Sequence, residues 1–137
     1  MTLTARYRFV ASHRLHAPSL SDEENRALYG KCDNPYGHGH DYTVDLSVEG
    51  PVGADGQIVH RAAFDALVRS QVLEPLDHKN LNTDVPEFAG ANVPTTENLA
   101  EAIQRRLTAH WTLEPRLVRV RIAETDRNSF VWEAGRA

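Results

Sequence analysis

Residues 38–49 have the sequence HGHDYTVDLSVE, in which polar and apolar residues alternate from His40 onward. Successive side chains of a β-strand point to opposite faces, so every second residue shares a face: His38, His40, Tyr42, Val44, Leu46 and Val48. The alternation therefore predicts a strand with one buried face, and the two histidines extend that face. Gly50 and Pro51 predict the turn that ends this strand.

A second alternating segment, YRFVASH at residues 7–13, precedes this strand. Its apolar residues share one face, and His13 continues that face at the end of the segment. The polar stretch from about residue 18 to residue 37 predicts a loop between the two strands. Two strands that are each apolar on one side favour an antiparallel pair with one face in the core.

The middle of the chain predicts two helices. Apolar residues recur at helical spacing over residues 61–73, which indicates a first helix that Pro75 should end. A second helix is predicted to begin at Thr95 and Thr96, because a threonine can cap free backbone N–H groups. The buried stripe of this second helix consists of Leu99, Ile103 and Leu107.

The C-terminal part of the chain predicts two more strands. Residues 116–124 alternate, with one face made of Val118, Val120, Ile122 and Glu124. Residues 130–132 predict a short last strand. The resulting order (ββααββ) is typical of an α+β fold in which an antiparallel four-stranded sheet carries two helices on one face. The length of 137 residues predicts a single domain over residues 1–137.

The composition argues against several classes of protein. The net charge of −4 and the lack of Lys and Arg runs make nucleic acid a poor partner. No stretch approaches the ~20 apolar residues that span a bilayer, and residues 1–6 lack the features of a secretory signal. We therefore expect a cytoplasmic protein without a membrane partner. The single cysteine excludes an internal disulfide, and no glycine-rich dinucleotide fingerprint is present.

Three histidines, His13, His38 and His40, fall on core-facing strand positions. Gly39 lets the backbone approach closely between two imidazoles that project to the same side. Burying three imidazoles without a shared partner would be costly, and three nitrogen ligands leave zinc one open position, as in catalytic sites. The alternative is a set of hydrogen-bonded core or loop histidines. Three other histidines are interpreted as ordinary surface or turn residues: His16, His60 and His110.

Two polar segments supply candidate acid and base groups. Cys32 lies in a loop rich in turn formers, and Lys31 would lower the pKa of its thiol and favour the reactive thiolate. An inert, partly buried cysteine is the alternative. Asp77 and His78 follow the first helix and suit a proton relay, although a polar turn at the helix end explains them equally well. The chain has two lysines, Lys31 and Lys79, and their positions beside these groups favour an anionic substrate.

Glu124 ends the apolar face of its strand, where a lone buried carboxylate is penalised and needs a partner. A structural salt bridge would supply one. A carboxylate can also bind two adjacent N–H donors, such as those at the edge of a pterin or guanine ring.

Several motifs, taken in order, resemble those of the 6-pyruvoyl-tetrahydropterin synthase family, which includes the bacterial 6-carboxy-tetrahydropterin synthases of the queuosine pathway. They lie at residues 9–15, 21–25, 31–40, 75–82, 95–98 and 124–125 and span nearly the whole chain. Several motifs at consistent spacing are far more specific than a single His-x-His pair. The spacing from Cys32 to His38 and the segment at residues 21–25 look more like the pyruvoyl-forming members.

The resemblance implies the tunnelling fold, in which the sheets of three subunits join into a barrel and two trimers form a homohexamer. It implies that active sites lie between subunits. It also implies a zinc ion held by His13, His38 and His40, with Cys32 as the proton acceptor.

The resemblance assigns roles to the other candidates as well. Asp77 and His78 of a neighbouring subunit would assist the thiol, while Glu124 would anchor the pterin ring or join the proton relay. Thr95 and Thr96 would border the ring pocket.

The reaction implied by the resemblance converts 7,8-dihydroneopterin triphosphate to 6-pyruvoyl-tetrahydropterin with loss of triphosphate. A 6-carboxy-tetrahydropterin synthase of the queuosine pathway is the close alternative, and a non-catalytic pterin-binding or metal-binding module is a third. Retention of Cys32 together with Asp77 and His78 argues against the third. Residues 56–61, GQIVHR, depart from the family pattern, so the packing or the pocket rim is expected to differ there.

Overall fold

The two histidine-bearing strands meet at one end of a sheet. The computed structural model describes residues 1–34, 37–90 and 92–135, and of His38 it describes the backbone alone. Strands β1 (Thr2–His13) and β2 (His38–Glu49) form the antiparallel pair that the alternation predicts. Their register places His13 directly opposite His38.

Within the described residues the sheet has five strands, which include β3 (Lys79–Asn80), β4 (Arg116–Thr125) and β5 (Asn128–Glu133). Their order in the sheet is β3-β1-β2-β4-β5. Strands β4 and β5 pair antiparallel, as predicted. Strand β3 instead runs parallel to β1. The prediction of a four-stranded, wholly antiparallel sheet was therefore wrong, because a strand of two residues is too short to produce an alternating pattern.

A helix that the sequence pattern does not predict lies between β1 and β2. This helix, α1 (Asp22–Tyr29), continues into a 3-10 turn (Gly30–Asp33) that we call the Cys32 turn. Ser21 and Glu24 form a capping box at the start of α1, whose buried residue is Asn25. The predicted loop over residues 18–37 was wrong for this segment, and the ββααββ order is incomplete. Without an apolar stripe, the capping box was the one available signal.

The first predicted helix is longer than expected. It begins as α2 (Arg61–Val68), becomes π-helical at Arg69–Leu73 and ends as α3 (Glu74–Leu76). Pro75 therefore lies inside the helical segment rather than beyond it. The π-helical stretch accommodates this, since Glu74 donates its N–H to the carbonyl of Arg69 and Pro75 occupies the first turn of α3, where proline is tolerated.

The second predicted helix, α5 (Thr96–Ala109), is confirmed with Thr95 as its cap. A short helix α4 (Leu81–Asp84) and a 3-10 turn (Pro86–Phe88) precede it. Among the described residues, no helix combines the length and the apolar character needed to cross a membrane.

One hydrophobic core lies between the helices and the inward face of the sheet. Its large, fully buried members include Tyr42, Leu46, Phe64, Leu99, Ile103, Leu107 and Ile122. The pairing of β2 with β4 shifts between Ser47 and Val48, and this bulge gives Leu117 the buried position that alternation had assigned to Val118. The opposite face of the sheet is polar, with Asp45 paired to Arg6 and Arg121.

Candidate metal centre

Two of the predicted histidine ligands lie side by side at the end of the sheet. His13 ends β1 and is fully buried, and His40 lies on the neighbouring strand opposite Ala11. The two imidazole rings are 4.7 Å apart between centroids, at an angle of 61°. The side chain of His38 lies outside the described residues, so its ligand role stays a prediction.

Glu124 joins the histidines from β4. Its Oε1 is 2.7 Å from Nε2 of His40, and its Oε2 accepts a hydrogen bond from the hydroxyl of Thr96 at 2.6 Å. The half-buried carboxylate thus has the partner that the sequence required. Thr96 is nearly fully buried at the first turn of α5, so that helix helps to fix the carboxylate.

The Cys32 turn brings the only thiol of the chain to the same place. The carbonyl of Cys32 accepts a hydrogen bond from the backbone N–H of Leu15 at 2.6 Å, which ties the turn to the segment after β1. Burial and the nearby Glu124 carboxylate raise the pKa of the Cys32 thiol. The expectation of a lowered pKa for this thiol was therefore wrong for the metal-free chain, where burial and the Glu124 carboxylate set the direction.

These side chains form one group of donors. Ligand atoms of His13, Cys32, His40 and Glu124 all lie within 4.8 Å of one another. Imidazole nitrogen, thiolate sulfur and carboxylate oxygen are the three donor types that zinc accepts in proteins. The residues therefore fit a metal ion, and the group could hold one at the end of the sheet.

Tyr42 contacts one member of this donor group, His13, and the sequence did not predict this contact. Its hydroxyl oxygen is 3.0 Å from Nδ1 of His13, and both side chains are fully buried. Burial, with the nearby Glu124 and Cys32, raises the pKa of the Tyr42 phenol, so the hydroxyl keeps its proton at neutral pH. Strand alternation placed Tyr42 on the inward face but gave no sign of this hydrogen bond.

The predicted relay pair lies elsewhere in the chain. A side-chain oxygen of Asp77 accepts the N–H of Val10 at 2.9 Å, and the N–H of His78 donates to the carbonyl of Val10 at 2.6 Å. His78 has a positive φ of 58°, and its side chain is 76% exposed, 3.8 Å from Asp77. The described contacts thus attach both residues to the outer edge of β1 and do not bring them to the donor group.

The lysine and threonine candidates lie in different parts of the structure. Lys31 and Lys79 are exposed on the Cys32 turn and on β3. Thr95 caps α5 by accepting the N–H of Asn98, and its neighbour Thr96 contacts Glu124.

A polar network around the Cys32 turn also escaped the sequence analysis. Nδ1 of His16 lies 2.7 Å from the buried Asp33 carboxylate, which Arg14 also approaches at 3.2 Å. Asn25 is fully buried and bonds the backbone of Ala17 through both its amide oxygen and its amide nitrogen. The interpretation of His16 as an ordinary surface or turn residue did not include this contact with Asp33, which makes His16 part of the network that holds the turn.

Fold and site together define a small α+β protein with a candidate metal centre at one end of its sheet. The family model described as 6-pyruvoyl tetrahydropterin synthase matches residues 2–134. The chain therefore belongs to the 6-pyruvoyl tetrahydropterin synthase family.

Individual relatives agree with this assignment. The chain is 44% identical over 129 residues to a 6-pyruvoyl tetrahydrobiopterin synthase of Poecilia reticulata, covering 90% of this chain and 84% of the relative. It is 43% identical over 132 residues to the enzyme of that name from Homo sapiens, covering 96% and 90%. The solved structure of Caenorhabditis elegans 6-pyruvoyl tetrahydropterin synthase superposes with a TM-score of 0.89 at 34% identity, covering 98% and 96% of the two chains.

Proposed function

We propose that this chain is a zinc-dependent lyase that converts 7,8-dihydroneopterin triphosphate to 6-pyruvoyl-tetrahydropterin with release of triphosphate. The observation that carries the proposal is the donor group of His13, Cys32, His40 and Glu124, whose ligand atoms lie within 4.8 Å of one another. The relatives that bear the synthase name, at 43% and 44% identity over most of the chain, support the choice of reaction.

The strand histidines would hold the metal. His13 and His40 are adjacent, and His38 follows from the register of β2, opposite His13. When bound, zinc supplies Lewis-acid chemistry that polarises a substrate oxygen and acidifies the neighbouring carbon-bound protons. Glu124 and Cys32 complete the group from a different strand and from a turn.

Cys32 is the proton acceptor in this proposal. Its thiol is held protonated by burial and by Glu124 in the metal-free chain, and a nearby cation favours the thiolate instead. The thiolate removes a carbon-bound proton from the substrate side chain, and triphosphate then leaves with its electron pair. The proton is afterwards returned to the product, so the net reaction is an elimination with internal redox that needs no external oxidant.

Glu124, Thr95 and Thr96 would hold the pterin ring. A carboxylate oriented by a buried threonine hydroxyl suits two adjacent N–H donors of the ring, and the same carboxylate is close enough to His40 to join proton transfer. Lys31 and Lys79 are exposed cations and suit the triphosphate. Lys31 precedes Cys32 in its turn, and Lys79 pairs with Ala11, two residues before His13 on β1.

Asp77 and His78 would act on the site of a neighbouring subunit. They lie at the outer edge of β1, and the His78 side chain is 76% exposed, so both are available to a second copy of the chain. A homohexamer built from two barrel trimers would place the pair beside another subunit's Cys32. Symmetric assemblies commonly build shared sites in this way.

The primary test incubates the zinc-loaded protein with 7,8-dihydroneopterin triphosphate and identifies the products by mass spectrometry. A pyruvoyl product is expected. A carboxy product would move the chain to the queuosine-type reaction, and unchanged substrate with zinc bound would leave a binding module.

Substitution of Cys32 by alanine tests the proton acceptor. We expect turnover to fall by about 100-fold or more, since a positioned base contributes roughly 10²–10⁴-fold, while bound zinc is retained. Zinc content by atomic absorption and turnover under saturating substrate check this. Loss of zinc in both Cys32→Ala and Cys32→Ser would make Cys32 a ligand rather than the base, because a serine hydroxyl is not among the usual zinc donors.

Mixing two inactive variants tests the shared site. Cys32→Ala and His78→Ala, refolded together in equal amounts, should regain activity up to about a quarter of the wild-type value if each site combines two subunits at random. Each variant refolded alone is the control. Absence of any regain, with hexamers formed, would place all catalytic groups in one subunit.

A further inference from the structure

Packing fixes the ring of Tyr42 next to the imidazoles of His13 and His40. Tyr42 lies two residues after His40 on the same face of β2, opposite Phe9 of β1. It stacks on Phe9 with 5.1 Å between ring centroids and an interplanar angle of 18°. Since the residue is fully buried and clamped by a neighbouring ring, the position of its hydroxyl is determined by the core.

The hydroxyl contacts one nitrogen of one candidate ligand. Its oxygen lies 3.0 Å from Nδ1 of His13. A histidine that binds a metal through one ring nitrogen carries a proton on the other and donates it to a nearby acceptor. When Nε2 binds the metal, Nδ1 is the protonated nitrogen, and the Tyr42 hydroxyl oxygen is within reach to accept its hydrogen bond.

We propose that Tyr42 is a positioning residue for His13: its hydroxyl oxygen accepts the Nδ1 proton, fixes the ring tautomer and directs Nε2 toward the metal. The inference rests on the metal site of the proposed function. It concerns metal affinity, because the hydroxyl acts through His13 and is not itself assigned a contact with substrate.

Tyr7 offers a matched control in the same strand pair. Its ring also packs inward from β1, against Phe64, and its hydroxyl donates to Asp65 at 2.6 Å. That partner is an α2 carboxylate and is not a member of the donor group. Removal of either hydroxyl deletes a side-chain hydrogen bond and leaves the ring in place. Tyr42 is fully buried and Tyr7 is partly buried, and the comparison asks whether loss of a candidate ligand's partner weakens metal binding.

The test measures zinc dissociation constants of wild type, Tyr42→Phe and Tyr7→Phe by competition with a chromophoric chelator. We expect a 10–100-fold weaker affinity for Tyr42→Phe, the usual effect of losing an outer hydrogen-bond partner, and a change of less than about twofold for Tyr7→Phe. Equal affinities for all three would overturn the inference. Failure of wild type to bind zinc would instead overturn the proposed function and the inference with it.

A second measurement does not depend on any variant folding well. Long-range ¹H–¹⁵N correlation spectra of the zinc-loaded wild type report which ring nitrogen of His13 carries the proton. A protonated Nδ1 with a metal-shifted Nε2 supports the proposal, and the opposite tautomer overturns it.

Discussion

The candidate site has two parts that are held in place differently. The strand-held part consists of His13, His40 and Glu124, which lie on the neighbouring strands β1, β2 and β4, with Glu124 at an irregularity in the pairing of β4 with β5. The turn-held part consists of Cys32, whose turn is anchored by individual polar contacts. Sheet pairing distributes the positional constraint over many hydrogen bonds, while a turn depends on a few. The strand-held part should therefore govern metal affinity, and the turn-held part should govern turnover.

The largest expected effect comes from His40→Ala in the strand-held part. Removing a ligand should weaken zinc binding by more than ~100-fold, since even outer partners of ligands contribute about 10–100-fold. Isothermal titration with zinc measures this. His110→Ala, an exposed histidine at the end of α5, is the control and should bind zinc normally. Unchanged affinity in His40→Ala would remove this residue from the metal site.

An intermediate effect is expected from Asn25→Ala, which loosens the turn-held part. The loss of several buried hydrogen bonds should lower the free energy of unfolding by about 2 kcal/mol, because their backbone partners lose a buried side-chain partner. Turnover should fall by about 10-fold with zinc affinity near that of wild type, since a misplaced catalytic group costs rate. Urea unfolding, kinetics and zinc titration check these three expectations.

The control for that comparison is Asn92→Ala, an exposed asparagine that donates to the carbonyl of Glu87. It should change neither the unfolding free energy nor turnover appreciably. If Asn25→Ala lost zinc affinity as strongly as turnover, the two parts of the site would not be separable.

The smallest expected effect concerns Glu87, which lies in the 3-10 turn (Pro86–Phe88) between α4 and α5. The Arg106 guanidinium holds the pKa of Glu87 below its ordinary value of 4.5. A carboxylate whose pKa is depressed on folding stabilises the protein above the unfolded value, and this contribution is lost as the pH falls through the folded value. Glu87→Gln should therefore cost about 1 kcal/mol at pH 7 and nothing in strong acid.

Urea unfolding of wild type and Glu87→Gln, from pH 7 down to strong acid, measures the difference in their free energies of unfolding. Glu101→Gln, which breaks an exposed ion pair with Arg105 one helical turn away, should have a smaller effect at every pH. A pH-independent cost of Glu87→Gln would show that packing rather than charge holds this connection.

The strand-held part was largely visible in the sequence. Period-two alternation placed His13 and His40 on inward faces, and it put Glu124 at the end of such a face, where a buried carboxylate must find a partner. Helix α5 followed equally well from its threonine cap and apolar stripe. These features depend on local periodicity, which a single sequence contains.

For the turn-held part, the sequence indicated Cys32 as a reactive residue but did not predict the structure that positions it. Helix α1 has no apolar stripe, and β3 spans only two residues. The bulge that buries Leu117 instead of Val118 leaves no sign in the alternation of the sequence. The raised pKa of the Cys32 thiol depends on burial and on Glu124, which is distant in sequence. Hydrogen bonds such as that of Tyr42 with His13 arise from three-dimensional packing, so spacing alone could not reveal them.

The place of Glu124 on β4 has a consequence for the order of folding. β1 and β2 are consecutive strands, so their pairing can bring His13 and His40 together before the C-terminal third of the chain has been synthesised. Glu124 arrives only when β4 closes a long loop onto β2, a contact of high sequence separation that forms slowly. We therefore expect the nascent chain to pass through a stage in which the histidines are together without Glu124, and to complete the candidate site late.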